Sequence, residues 1–340
     1  MHHLKVLFAL TAASALVACG GGGSPPPPPP VPAPEVGTNG TLQTSVAAAT
    51  YADARRVDAF HQLNAARLGA GAGLLAQSSR LDVSALSHAT YLTDNGFNSA
   101  DSAHDETSGL PDFTGTTPFK RMQAAGYPDY SYATEVIGDI GSASATSDCV
   151  GDLLDTVYHA ASMLSRVTDV GFGFGSGAAA GMCTIDMASP LSGGGAKQIP
   201  PSGAVVAYPY NGSTVAHGTF HVSNESPRAP IALLPAATAG TPVVVGFRNQ
   251  DVVAGGKVTI TQFSLATSDG VAVPGVILAG AGVSGTNVNA DPGLDSDPDF
   301  AVLVPVGPLA AGTYTVTLHA TISSGQALAL TTWSFTVAAL

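Results

Sequence analysis

The stretch His104-Asp-Glu-Thr-Ser-Gly-Leu-Pro-Asp-Phe-Thr-Gly-Thr-Thr-Pro-Phe-Lys-Arg-Met-Gln-Ala-Ala-Gly-Tyr127, with Glu135-Val-Ile137 after it, decides how the first half of this chain is read. It gathers imidazole, carboxylate and phenol groups in a chain that is only 11% charged. Such a concentration marks a candidate site. Its middle predicts a helix over 118–125, with Thr117 as the cap, Pro118 in the first turn and Gly126 at the left-handed stop.

Working outward, residues 53–68 read as a helix, because Val57, Phe60, Leu63, Asn64 and Arg67 recur at three- and four-residue steps. Residues 79–95 read as a second, with Leu81, Ala85, Ala89 and Leu92 in one stripe, Ser79 as the cap and Asn95-Gly96 as the stop. His61 and His88 on these helices have no partner at metal spacing and read as packed or surface residues. A fourth helix is expected over 149–164, with His159 near its middle. Residues 169–174 and 182–187 read as strands joined by the Gly/Ala loop 175–181. The first domain is therefore mixed α and β.

Residues 192–201 are rich in Gly and Pro and fit a domain boundary. Beyond them no helical period is visible. Strand-like runs fall at 204–208, 219–222, 242–247, 257–265, 300–304, 314–322 and 328–337, with Ser323-Ser-Gly325 as a turn. Seven short strands predict an immunoglobulin-like β-sandwich with Trp333 in its core. Asp291, Asp295, Asp297 and Asp299 lack the Gly and Glu of a calcium loop and are expected to form a solvated loop.

The chain has 340 residues, enough for about two domains. Its net charge of −12 argues against a nucleic-acid partner. The N-terminus reads as a targeting segment: Lys5, a short apolar core over 6–17, then Leu16-Val-Ala-Cys19. The last four residues resemble a bacterial lipobox. That resemblance implies cleavage before Cys19 and diacylation of it, whereas plain secretion would leave Cys19 unmodified. The apolar core is too short to span a membrane. Gly20–Gly23 and Pro25–Pro30 then form a tether, read as a polyproline spacer rather than a recognition ligand. About ten such residues would span roughly 30 Å. Cys149 and Cys183 remain, and in an oxidising compartment they are expected to pair; two buried thiols are the alternative.

Taken together, several motifs resemble the CAP superfamily of cysteine-rich secretory, antigen 5 and pathogenesis-related-1 proteins (SCP domains), and most closely its bacterial lipoprotein branch. Asn64-Ala-Ala-Arg67 is similar to the family's first-helix signature. His104-Asp-Glu106 is similar to His-Ser-Glu. Phe113-Thr-Gly115, Thr117-Pro118, Arg121 and Gly126-Tyr127 follow in the family's order. Glu135-Val-Ile137 stands where Glu-Asn-Ile is usual, and His159 stands for the last-helix histidine, without the usual Trp and Ser before it. Asp169-Val-Gly-Phe-Gly resembles the strand that follows. The resemblance covers about residues 50–190.

It implies an α-β-α sandwich with a cleft of two His and two acids that binds a divalent metal such as zinc in some members. His104, Glu135 and His159 match as metal ligands. The fourth position stays open among Glu106, Asp152 and Asp155. Glu106 and Glu135 are the catalytic candidates, and Glu106 alternatively orients His104. The expected organisation is a lipoprotein signal peptide over 1–19, a tether over 20–45, a CAP-like domain over 50–191 and an all-β immunoglobulin-like sandwich over 202–340. The expected function is that of an exported lipoprotein at an outer membrane or cell surface, held to the membrane by lipid on Cys19. It would bind a lipid or envelope ligand without enzymatic activity. The alternative is a metal-dependent hydrolase using the His/Glu cleft.

Overall fold

The computed structural model describes residues 41–96, 102–139, 148–175, 182–191, 197–225, 227, 229–230, 232–248, 258–322 and 328–339. Cys19, the signal segment, nearly all of the tether, loop 176–181, linker 192–196 and the turn at 323–325 lie outside them.

The first domain runs α1 (Ala54–Ala70), β1 (Ala76–Gln77), α2 (Ser79–Asn95), α3 (Pro118–Ala124), β2 (Tyr130–Asp139), α4 (Cys149–Leu154), α5 (Tyr158–Met163), β3 (Asp169–Phe174) and β4 (Met182–Pro190). Local chemistry sets the helix ends. Asp53, Ser78 and Thr117 each accept a hydrogen bond from a first-turn amide, so the cap of α2 is Ser78, one residue earlier than expected. Gly71 and Gly126 supply left-handed stops after α1 and α3.

The strands form one sheet in the order β1-β3-β4-β2, antiparallel except for the β1–β3 pair. Helices cover both faces. On one face, α2 lies so close to β3 that a Cβ at Gly171 would strike the backbone of Leu81 and Asp82, and one at Gly173 that of Ala85. On the other, α1, α4 and α5 share a core with Val136, Phe172 and Ile185. This is the α-β-α sandwich the sequence motifs implied. A disulfide, Cys149–Cys183, ties the start of α4 to β4.

The expectation of one long fourth helix is corrected. The helix over 149–164 is two short helices, broken at 155–157. Glu225, far along the chain, accepts hydrogen bonds from the amides of Val157 and Tyr158 at 2.9 and 3.0 Å. Those amides would otherwise bond to carbonyls of α4. The run Tyr130–Asp139, read only as a motif, is a ten-residue strand whose register places Glu135 opposite Asp186.

The second half holds β5 (Val205–Tyr208), β6 (Thr214–Val215), β7 (Phe220–His221), β8 (Thr238–Ala239), β9 (Val243–Phe247), β10 (Val258–Thr267), β11 (Ala272–Val273), β12 (Gly275–Ala279), β13 (Val283–Gly285), β14 (Val288–Ala290), β15 (Phe300–Pro305), β16 (Gly312–Thr321) and β17 (Thr332–Val337). One sheet is ordered β11-β10-β16-β17-β6 with β13 beside β10, the other β14-β12-β15-β9-β5, and β7 pairs with β8. Trp333, Phe335 and Val337 alternate inward as expected, and Trp333 Nε1 donates to the Pro209 carbonyl at 2.8 Å. A single apolar core runs from α1, α4 and α5 into this domain.

The acidic run is not a solvated loop. Asp291, Asp297 and Asp299 are buried, and only Asp295 among the four is exposed. Tyr158 Oη donates to Asp291 at 2.8 Å. Tyr132 Oη donates to Asp297 at 3.0 Å, and Arg166 meets Asp299 at 3.4 Å. The loop is one of the second domain's polar contacts with the first, and Gly293 within it lets the ring of Tyr158 pass where a Cβ would collide.

Candidate functional site

The polar centre of the first domain is built on α2, α3, β2, β4 and the loop from residue 102 to 117. Strand alternation puts Glu135 and Ile137 on the α2 side of the sheet, where Ile137 packs with Ala89 and Leu92. Val136 and Gly138 face the other side, where a Cβ on Gly138 would rest against Leu153. Glu135 therefore points at α3. Arg121 Nη2 donates to both of its oxygens at 2.8 Å, and Arg121 Nη1 donates to the His104 carbonyl at 2.9 Å. His104 Nδ1 lies 2.8 Å from Glu135 Oε1.

Glu106 sits beside this pair but orients His88 rather than His104. Its Oε1 is 3.0 Å from His88 Nδ1, and its Oε2 accepts from the Thr114 and Gly115 amides at 2.6 and 3.1 Å. His88 Nε2 is 2.9 Å from the Ala103 carbonyl. Both nitrogens of His88 thus face oxygen atoms, one of Glu106 and one of the Ala103 carbonyl. Burial alone would raise the Glu106 and Glu135 carboxyls. Around Glu106, His88, the Thr114 and Gly115 amides and Arg121 outweigh it; around Glu135, Arg121, His88 and His104 do. Both are held below the usual carboxylate range.

Asp186, fully buried and opposite Glu135, is pushed the other way, by burial first and then by Glu135.

The structure brings His104, Glu106 and Glu135 together and leaves His159 apart. His159 belongs to α5, across the sheet from Glu135. Its Nδ1 meets Glu225 Oε1 at 3.1 Å and Thr156 Oγ1 at 3.0 Å. The expected metal trio of His104, Glu135 and His159 is therefore divided. Among the described residues, no three His, Cys, Asp or Glu side chains converge as a metal-binding set. The donors that are present are a poor fit to zinc, since Arg121 and His104 already occupy the Glu135 oxygens.

Of the candidates for the fourth position, Glu106 lies in this centre, 3.7 Å from Arg121 Nε. Asp152 instead lies 3.6 Å from His217, and Asp155 ends α4 with its Oδ1 lacking a hydrogen-bond partner among the described residues. Burial, then Asp152 and Asp148, push the Asp155 carboxyl up to about 8.

His88, Asp186 and Glu225 were missed as site residues. The three-residue spacing of His88 from Ala85 and its four-residue spacing from Ser84 placed it on the buried stripe of α2. A polar residue on a buried stripe needs a partner, and that was the available signal. Asp186 and Glu225 gave no local signal.

A second feature lies on the outer side of α2. Tyr51, Arg56, Gln77, Asp82, Val83 and Leu86 line a groove of about 260 Å³. Asp82 accepts from Tyr51 Oη at 2.8 Å and from Gln77 at 2.7 Å, and Arg56 pairs with it at 3.1 Å. Val83 and Leu86 are 54% and 40% exposed.

Comparison with known proteins agrees with the mixed fold. The family model described as "CAP: Cysteine-rich secretory protein family" matches residues 60–186. No curated protein matches the chain. Among solved structures, an extracellular protein containing an SCP domain from Bacillus anthracis str. Ames is 20% identical over 38% of this chain and 39% of its own, with a TM-score of 0.29. CopC from Methylosinus trichosporium OB3b is 19% identical over 38% of this chain and 87% of its own, with a TM-score of 0.22. PcoC, a methionine-rich copper resistance protein from Escherichia coli, is 20% identical over 39% and 93%, also at 0.22. Likenesses this weak carry no argument about copper or any other ligand here. With the family match over 60–186 and the α-β-α sandwich built by those residues, the first domain of this chain belongs to the cysteine-rich secretory protein, or CAP, family.

Proposed function

We propose that this chain is an exported envelope protein, held to a membrane by lipid on Cys19, whose CAP domain binds a lipid or another envelope component without cleaving it. The observation that supports binding over hydrolysis is the saturation of the polar centre. Glu135 and Glu106 are buried, and each has its oxygens engaged by Arg121, by imidazole or by backbone amides. A general base needs an accessible lone pair near a substrate proton. A centre of this kind fixes loop 102–117 against the sheet and rigidifies the surface around it.

The groove along α2 suits an amphiphile. Val83 and Leu86 offer apolar contact while Arg56 and Asp82 offer charge at one end. The test uses the full chain purified from membranes. Organic extraction and mass spectrometry are expected to find diacylglyceryl on Cys19 and co-purified lipid, and Leu86→Asp is expected to release that lipid without lowering the melting temperature. A chain that carries no lipid and binds no vesicles of envelope lipid sinks the proposal. A hydrolase reading would instead require an activity that vanishes in the double variant His104→Ala, His159→Ala.

A further inference from the structure

Where the second domain meets β2, two carboxylates two residues apart, Asp297 and Asp299, are both buried. They reach the first domain at different points. Tyr132 Oη lies 3.1 and 3.0 Å from the two oxygens of Asp297. Arg166, between α5 and β3, meets Asp299 with both terminal nitrogens at 3.4 Å. Lys197 lies with its ammonium 5.6 Å from the centre of the Tyr132 ring. The loop is held from behind, where the Phe247 amide donates to the Asp299 carbonyl and the Phe300 amide to that of Asp297. The seam thus faces Asp297 with Asp299, Tyr132, Arg166 and Lys197.

We propose that Asp297 and Asp299 form a proton-gated latch between the two domains. With a proton on Asp297 the seam holds one carboxylate, gripped by Arg166. When that proton leaves to solvent, two carboxylates share a buried seam, and the sandwich loosens from β2 to let water reach them. Two like charges in a low-dielectric contact repel and lack hydration, and separation of the surfaces relieves both.

The balance of neighbours sets the range. Burial, then Asp299, push the Asp297 carboxyl up to about 7, against the opposing pull of Tyr132, Arg166 and Lys197. Burial also raises Asp299, against Arg166 and Lys197. For an acid whose folded value is raised, the docked state binds the proton more tightly than the open state does. Docking is therefore strongest at acid pH, weakens as pH rises from the ordinary carboxylate range toward about 7, and levels off above it.

The test is amide hydrogen exchange of the full, disulfide-intact chain between pH 5.5 and 9, divided by intrinsic exchange rates. The segments around Tyr132 and Asp299 are expected to lose protection as pH rises to about 7, approaching tenfold per unit for one linked proton, and to level off above it. Core strands such as β16 should hold theirs. Asp297→Asn should flatten the profile. Tyr132→Phe removes a hydroxyl that favours the ionised carboxylate, so it should move the transition to higher pH; it also keeps the test decisive if the asparagine variant folds poorly. Protection in the wild type that is flat across this range overturns the latch. So does a profile that Asp297→Asn leaves unchanged, or a transition that Tyr132→Phe does not move.

Discussion

At the level of single residues, the CAP domain is organised by a guanidinium. Arg121 is 1% exposed and joins Glu135, the His104 carbonyl and, at 3.7 Å, Glu106. Removing it leaves two carboxylates buried with less than their matching charge. Arg121→Ala is expected to lower stability by about 3–5 kcal/mol, the range for breaking a buried ion pair from one side. Arg121→Lys should recover only part, because an ammonium lacks the planar fork that reaches Glu135 through Nη2 and the His104 carbonyl through Nη1. Urea unfolding followed by circular dichroism measures both.

Asp155 makes the opposite case, a buried carboxyl whose Oδ1 has no hydrogen-bond partner among the described residues. Its folded value is about 8 against an ordinary 3.8, so the folded state holds the proton more tightly and stability falls as pH rises between those limits. Asp155→Asn should melt higher than the parent at pH 9, and the gap should close near pH 4. A gap that stays constant with pH would show that the carboxyl is not the source.

The secondary-structure elements show which interactions a sequence reveals. Helices α2 and α3 were legible because their caps and stops lie within a few residues of the turns they close. The pairing of His104 with Glu135 was legible through the order of family motifs. His88 was not, since its carboxylate partner lies 18 residues away and its role depends on how loop 102–117 folds back. Asp186 gains its role only from the β2–β4 register. The run 149–164 keeps a continuous apolar period, yet it breaks because Glu225, 68 residues from Val157, captures two amides. Strands β12 to β14 were passed over because glycines interrupt their period.

The helix break makes its own prediction. Glu225→Ala would strip the Val157 and Tyr158 amides and His159 of an acceptor in a buried contact. Each unsatisfied group costs about 1–3 kcal/mol, so the loss should be several kcal/mol. Hydrogen exchange should report it first in α5. Uniform exchange across the domain, with α5 no faster than α2, would count against this role.

For the whole molecule, the two domains depend on each other unequally. The sandwich pairs its own strands, β16 with β17 over six positions, and Trp333 bonds within its own domain to Pro209. Its debt to the first domain is a set of buried carboxylates, Asp291, Asp297 and Asp299, that water would solvate well. The CAP domain has more to lose. Without the sandwich, Tyr158 at 2% exposure, the α5 amides and His159 all lose partners, and the apolar layer of α1, α4 and α5 opens to solvent. Residues 202–340 alone should therefore fold cooperatively, with the blue-shifted emission of a buried Trp333. Residues 41–200 alone should melt well below the full chain, with α5 unprotected and the Cys149–Cys183 bond, worth about 3–4 kcal/mol for a loop of 34 residues, holding α4 to β4. Adding the sandwich in trans should restore protection to α5. If the isolated first domain instead melts with the full chain, the contact through Glu225 and Tyr158 contributes little, and the two domains are only neighbours.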